Sequence, residues 1–233
     1  MLFRSQTKAN TEVDFKPTLS IPHQLASSAV QMTALSDQFD RFSGEILRTL
    51  GERNCPNLEI LMTALAELNQ IAEPTIPNRT VSCNWLDKAF DKIPTDLKIL
   101  GDSARKIADQ ACWQESQRNV PGVFEGGYAF VALIGPEGQL RSDKFKVGLF
   151  IQQPDTYYPP HAHDAEEFYF LLSGRSKWRA GKLTFTANPG DLIHHAPSEV
   201  HSMETMNEPF LNDLKVVTCR CMRECTEQGK GWF

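Results

Sequence analysis

No apolar run in this 233-residue chain approaches the ~20 residues that a membrane-spanning helix needs; the longest, such as YAFVALIG from Tyr128, are far shorter. A chain without membrane contact is expected. Basic residues are in no excess either, since 24 Lys and Arg stand against 29 Asp and Glu, a net charge of −5, and no long basic run occurs. That argues against a nucleic-acid surface, which works by neutralising phosphates. The opening MLFRSQTKANTEVDF lacks the continuous apolar core of a secretory signal, so the cytoplasm is the expected compartment. Cysteine is sparse: six residues, Cys55, Cys83, Cys112, Cys219, Cys221 and Cys225, are too thinly spread for a disulfide scaffold and are expected to stay reduced. The one cluster, Cys219-x-Cys221-x3-Cys225, lacks the C-x2-C spacing of zinc sites and reads as small apolar residues on a strand. Internal repeats and low-complexity tracts are absent as well.

What is present divides the chain by texture. At this length roughly 70 % of the unfolded surface can be buried, so core size is no limitation. The first 20 or so residues are polar, contain Pro17, and read as an extended arm. From His23, Leu25, Met32, Leu35, Phe39, Phe42, Ile46 and Leu50 recur at three- and four-residue steps, which predicts an amphipathic helix of about 27 residues ending near Gly51. So long an apolar seam suggests wrapping of the β half or pairing with a second copy as a homodimer. Leu58, Leu61, Leu65 and Leu68 predict a second helix after Pro56. Asn84 is a candidate cap for a short third helix, and Thr95 for a fourth lined by Leu97, Leu100, Ala104, Ile107, Ala108 and Ala111.

After Pro121 the pattern changes to short apolar runs cut by Gly and Pro at spacings of roughly 8 to 12 residues, as in antiparallel sandwiches and barrels. Strands are predicted over 128–134, 146–152, 167–172, 176–179, 183–187, 191–194 and 211–218. Turns are expected at 135–138, 173–175, 188–191 and near Pro209. The predicted architecture is α+β, with a mainly helical region over 1–120 and a β domain over 121–233.

Histidine is as scarce as cysteine, with six residues, yet five of them lie between His161 and His201. Within PPHAHDAEEFYFLLSG, a strand's period of two would turn His161 and His163 to one face. Glu167 and Tyr169 follow at even offsets and would join them. Glu166, at an odd offset, would turn to the opposite face as a solvated charge. NPGDLIHHAPSEVHSM then supplies His201 after a turn at Pro189-Gly190 and a bend at Pro197. Three imidazoles and a carboxylate suit one divalent transition metal ion, with Zn, Fe, Mn, Co and Ni all admissible. If His194 and His195 lie on a strand, one points inward, where a hydrogen-bonding role beside a ligand fits better than ligation.

His161-x-His163-x3-Glu167-x6-Gly174 resembles the first cupin motif, and Pro189-Gly190-Asp191 with Pro197-x3-His201 resembles the second. The resemblance implies a cupin β-barrel, jelly-roll-like, holding one metal. It departs from the pattern before His161, where TYYPP replaces the usual glycine. More narrowly, Gly127 to Val217 is similar to the cupin-type lyases of dimethylsulfoniopropionate (DMSP), nearest to the DddL type, which cleave that sulfonium compound to acrylate and dimethyl sulfide. This likeness implies His161, His163, Glu167 and His201 as metal ligands and Tyr169 as the catalytic base of a metal-dependent β-elimination. A cationic sulfonium calls for aromatic faces, and Tyr157, Tyr158 and Trp178 are the candidates. Fold does not dictate reaction, so a cupin oxygenase or isomerase and a non-catalytic metal-binding sensor are the rival readings.

Overall fold

The computed structural model describes residues 23–51, 58–66, 72–115, 126–212 and 216–218. Its helices are α1 (His23–Gly51), α2 (Leu58–Ala66), α3 (Leu86–Asp91) and α4 (Lys98–Ala108). The strands are β1 (Tyr128–Gly135), β2 (Leu140–Arg141), β3 (Phe145–Gln152), β4 (Tyr157–His161), β5 (Glu166–Ser173), β6 (Ser176–Ala180), β7 (Leu183–Ala187), β8 (Leu192–His195), β9 (His201–Thr205), β10 (Phe210–Asn212) and β11 (Val216–Thr218). They form two sheets. The larger runs β10-β5-β11-β3-β1-β2 with β8 added beside β5, and the smaller runs β4-β9-β6-β7. All pairings are antiparallel except β1 with β2.

The apolar runs of the sequence explain the layering. Every residue of β3 is buried, and β1 is nearly so. A strand reads as a continuous apolar run when both of its faces are covered. One face carries Ala129, Val131, Leu133, Val147, Leu149, Phe168 and Phe170 into a core shared with the helices, where Phe39, Phe42, Ile46, Leu100, Ala104 and Ile107 meet them. The other face carries Tyr128, Phe130, Phe150, Tyr169, Leu171 and Phe210 into a second, aromatic-rich core closed by Tyr158, Trp178 and Met203 of the smaller sheet. Strand β6 alternates buried and exposed residues, so the smaller sheet turns its outer face to solvent. The apolar stripe of α1, from Leu35 to Leu50, is buried within the chain, where α1 packs on α4 and α2.

Several local expectations are corrected. Asn84 does not cap a helix: it lies inside a 3-10 turn, Val81–Trp85, and Trp85 precedes α3 with no side-chain capping bond. Thr95 likewise begins a 3-10 turn, Thr95–Leu97, rather than capping α4. The single strand expected over 211–218 is two strands, β10 and β11, which pair with different stretches of β3 and β5. Strands β2, β4 and β9 carry no clear sequence signal. β4 contains Pro159 and Pro160, which a central strand excludes but an edge strand tolerates, and β4 is an edge. The arm expected over the first 20 residues, Cys55 and the Cys219-Cys221-Cys225 cluster lie outside the described residues. No helix among the described residues is long and apolar enough to cross a membrane.

Gly174, between β5 and β6, has φ +78°, and a Cβ there would stand 2.2 Å from the Pro209 carbonyl oxygen. Both the backbone conformation and the space require glycine. Gly174→Ala is expected to destabilise the fold by about 3 kcal/mol, read as a lower urea midpoint at unchanged slope. An unchanged midpoint would contradict this packing of the hairpin against Pro209.

Candidate metal centre

The site is built where β4 and β9 of the smaller sheet face β5 of the larger. His161 and His201 are direct partners in the β4–β9 register, whereas Tyr158 is opposite Met203. Three residues on β4 thus span two on β9, a bulge at Pro159-Pro160. In a regular strand, residues three apart such as Tyr158 and His161 would face opposite sides; the bulge brings both inward, their rings 4.6 Å apart. The TYYPP stretch is what aims the first ligand candidate. β4 ends at His161, so the expectation that strand alternation turns His161 and His163 to one face is corrected. His163 sits in the loop after β4, and Glu167 and Tyr169 face it from β5 in the other sheet.

The four sequence-predicted ligands nonetheless converge. His161, His163 and His201 place ring nitrogens within 4.8 Å of one another. Glu167 is 1 % exposed, and its Oε2 lies 3.1 Å from His163 Nε2 and 3.2 Å from His201 Nε2. The Tyr169 hydroxyl donates to the same Oε2 at 2.9 Å. Each imidazole is held from behind: Nδ1 of His161, His163 and His201 lies 3.0, 3.1 and 2.9 Å from the carbonyl oxygens of Pro159, Ala165 and Glu199. A carbonyl only accepts, so each Nδ1 carries the hydrogen. The Nε2 atoms of His163 and His201 are buried and make no hydrogen bond, although Glu167 is near. That donor set fits a cation at its centre.

A strap joins the two motif loops. Ser198, with φ +62°, donates its N–H to the His163 carbonyl at 2.7 Å and its hydroxyl to Asp164 Oδ1 at 3.0 Å. A non-glycine residue in this conformation is strained and is characteristic of a constrained functional loop.

Of the two adjacent histidines on β8, His195 points inward and His194 outward. His195 is 1 % exposed, and its pKa is pushed down to about 4, chiefly by burial and next by the neighbouring His201. His194 lies against Phe168 and contacts Glu166 at 2.7 Å, so Glu166 does face away from the cluster but is half-buried and paired rather than freely solvated. Trp178 is buried beside Tyr169, ring centroids 5.0 Å apart and edge to face. Tyr158 is buried beside His161 and within 5.3 Å of Tyr128. Tyr157 is 48 % exposed and registers with Glu204, which pairs with Lys177 on the outer face. The structure does not bring Tyr157 to the cluster. Tyr128 and Phe150, stacked at 5.3 Å, are interior aromatics that strand periodicity could have flagged but fully buried strands conceal.

Two facing sheets with an inward set of three imidazoles and a carboxylate define a cupin-like protein with a candidate metal centre. Within that class the chain belongs to the dimethylsulfoniopropionate lyase family, whose sequence model matches residues 57–212. The chain is 33 % identical over 142 residues to the dimethylsulfoniopropionate lyase DddQ of Ruegeria pomeroyi, covering 60 % of this chain and 71 % of that protein. It is 30 % identical over 101 residues to a putative dimethylsulfoniopropionate lyase, DddL, of Cereibacter sphaeroides, covering 43 % of this chain and 42 % of that one. Among solved structures, the DMSP lyase DddQ of Ruegeria pomeroyi superposes with a TM-score of 0.63 at 22 % identity, over 79 % of this chain and 92 % of that one. A structure reported with the DMSP lyases RdDddP and RnDddQII superposes at 0.65 and 18 %, over 80 % and 94 %. At those identities the superpositions speak for the fold.

Metal binding to such a set is linked to folding. Stripping the protein with a chelator is expected to lower its melting temperature and adding back a divalent ion to restore it, with a stabilisation of about 2.7 kcal/mol at a hundredfold excess over Kd. His163→Ala should abolish that response. A full response in the variant would exclude this cluster as the site.

Proposed function

We propose that the chain cleaves dimethylsulfoniopropionate to acrylate and dimethyl sulfide by base-catalysed β-elimination, with His161, His163, Glu167 and His201 as metal ligands and Tyr169 as the base. Membership of the lyase family, together with a tyrosine hydroxyl 2.9 Å from the carboxylate of the ligand cluster, carries this reading. A bound divalent ion supplies Lewis-acid stabilisation of the negative charge that builds on the substrate's carboxylate side as the proton leaves. Zn, Fe, Mn, Co and Ni all suit the donor set.

The remaining chemistry belongs to the chain. Tyr169 Oη, ionised, takes the proton from the carbon next to the substrate carboxylate. The C–H electron pair becomes the new C=C bond, the C–S bond breaks, and the sulfur leaves with that bond's electrons as neutral dimethyl sulfide. No group need protonate it. Glu167 accepts the hydrogen of the resting Tyr169 hydroxyl and so sets the position of Oη before it ionises, and the buried side chains keep bulk water from the proton path. The sulfonium end is placed against the aromatic rings of the interior, with Tyr158 nearest the ligands and Trp178 beside the base. Such faces attract a desolvated cation by roughly 0.5 to 2 kcal/mol each. In the same reading residues 121–233 are the cupin unit that carries the chemistry and 1–120 a helical backing. The core shared by Phe39 and Leu100 with Val131 and Leu149 supports that division of labour.

Headspace gas chromatography over purified, metal-loaded protein and the substrate tests the proposal. Dimethyl sulfide should appear equally under anaerobic conditions, which an oxygenase would not allow and a sensor would not show at all. Tyr169→Phe should retain metal while losing on the order of 10²- to 10⁴-fold in rate. A variant that keeps most of its rate would remove Tyr169 from the role of base.

A further inference from the structure

We propose that His195, locked by Trp178 and Glu199, is a positioning residue that fixes the orientation of His201; the inference rests on the reading of His201 as a metal ligand. The indole N–H of Trp178 reaches His195 Nε2 at 3.0 Å. An indole nitrogen only donates, so His195 Nε2 is the acceptor and Nδ1 carries the hydrogen. Nδ1 lies 3.1 Å from Glu199 Oε2, which completes the assignment: Trp178 donates to His195, and His195 donates to Glu199. With both nitrogens engaged, the ring is neither a ligand nor a base. What it offers is a flat face. The His195 and His201 rings are nearly parallel, 16° apart, with centroids at 4.2 Å.

Glu199 acts on both rings. Its carboxylate accepts from His195, and its backbone carbonyl accepts from His201 Nδ1 at 2.9 Å. His201 is thus held by a hydrogen bond at its rear and a stacked plane on its face, which leaves rotation about neither ring axis free. The loop that carries Glu199 is itself pinned by the Ser198 bonds to His163 and Asp164. A change at Trp178 or Glu199, neither of which belongs to the ligand set, is therefore expected to be felt at the metal. Partners that orient an imidazole ligand typically contribute 10- to 100-fold in metal affinity.

The test uses the metal-free protein titrated with Co(II) and Zn(II) against a competing chelator, with the Co(II) visible spectrum as a readout of ligand geometry. Trp178→Phe keeps an aromatic ring but removes the N–H. Glu199→Ala removes the side-chain acceptor at a half-exposed position and keeps the carbonyl, and Glu199→Gln restores a neutral acceptor. Expected are a 10- to 100-fold loss of affinity and an altered Co(II) spectrum in Trp178→Phe and Glu199→Ala. Glu199→Gln should recover most of both, and far-UV dichroism of the metal-free proteins should stay unchanged. Wild-type affinity and spectrum in Glu199→Ala, with binding lost in His201→Ala, would overturn the positioning role and leave the ligand set standing. Wild-type binding in His201→Ala would overturn the ligand reading, and this inference with it.

Discussion

A single carboxylate oxygen organises this protein. Glu167 Oε2 is sealed from water, lies within 3.2 Å of two imidazole nitrogens, and accepts the Tyr169 hydroxyl. Taking a carboxylate out of water costs several kcal/mol even after relaxation, and the Nδ1 atoms of the three imidazoles are directed at backbone carbonyls rather than at it. Positive charge placed among these donors would offset that cost, and the same burial would make its field strong.

That constraint explains several otherwise odd features around it. Two prolines interrupt an edge strand because the bulge they accommodate turns His161 inward beside Tyr158. A serine is held at positive φ because the loop carrying His201 must be tied to the loop carrying His163. A buried tryptophan and a buried histidine share a hydrogen bond because the plane behind His201 must not rotate. The helices contribute at a distance. By covering the second face of the larger sheet, they let β5 be apolar at Phe168, Phe170 and Leu172 on one side while it offers Glu167 and Tyr169 on the other.

The residue types of the site were legible in the sequence because metal chemistry uses few side chains and this chain has few histidines to distribute. The geometry behind them was less so. Strand periodicity placed His163 on the strand of His161, whereas a loop and the opposite sheet do the work, and two side chains can converge without sharing an element. The strands that both layers bury were readable as apolar runs, and α1 as a three-to-four stripe. β4 and β9 were hidden because their side chains are chosen for the site rather than for propensity. Tyr157 and Tyr158 were indistinguishable in the sequence. Only register separates them, since Tyr157 falls opposite Glu204 on the outer face and Tyr158 opposite Met203 on the inner one. The same parity divides His194, which pairs with Glu166 outside, from His195 within.

The interior between the sheets is polarised end to end, and this bears on how a zwitterion would lie in it. One end gathers the imidazoles and Glu167; next to it, through the contact of Tyr158 with His161, begins a cluster of Tyr128, Phe150 and Phe210 whose rings sit 5.3 to 6.3 Å apart. The aromatic faces offer partial negative charge without a formal anion, so they stabilise a sulfonium while giving it no basic group to react with. A carboxylate placed there would lose its hydration for nothing in return. Under the proposed reaction, a substrate with an anion at one end and a cation at the other would favour one sense of alignment, its carboxylate toward the imidazoles and its sulfonium toward the aromatic rings. The core is thus asymmetric, with the imidazoles and Glu167 at one pole and an aromatic cluster adjoining it at the other.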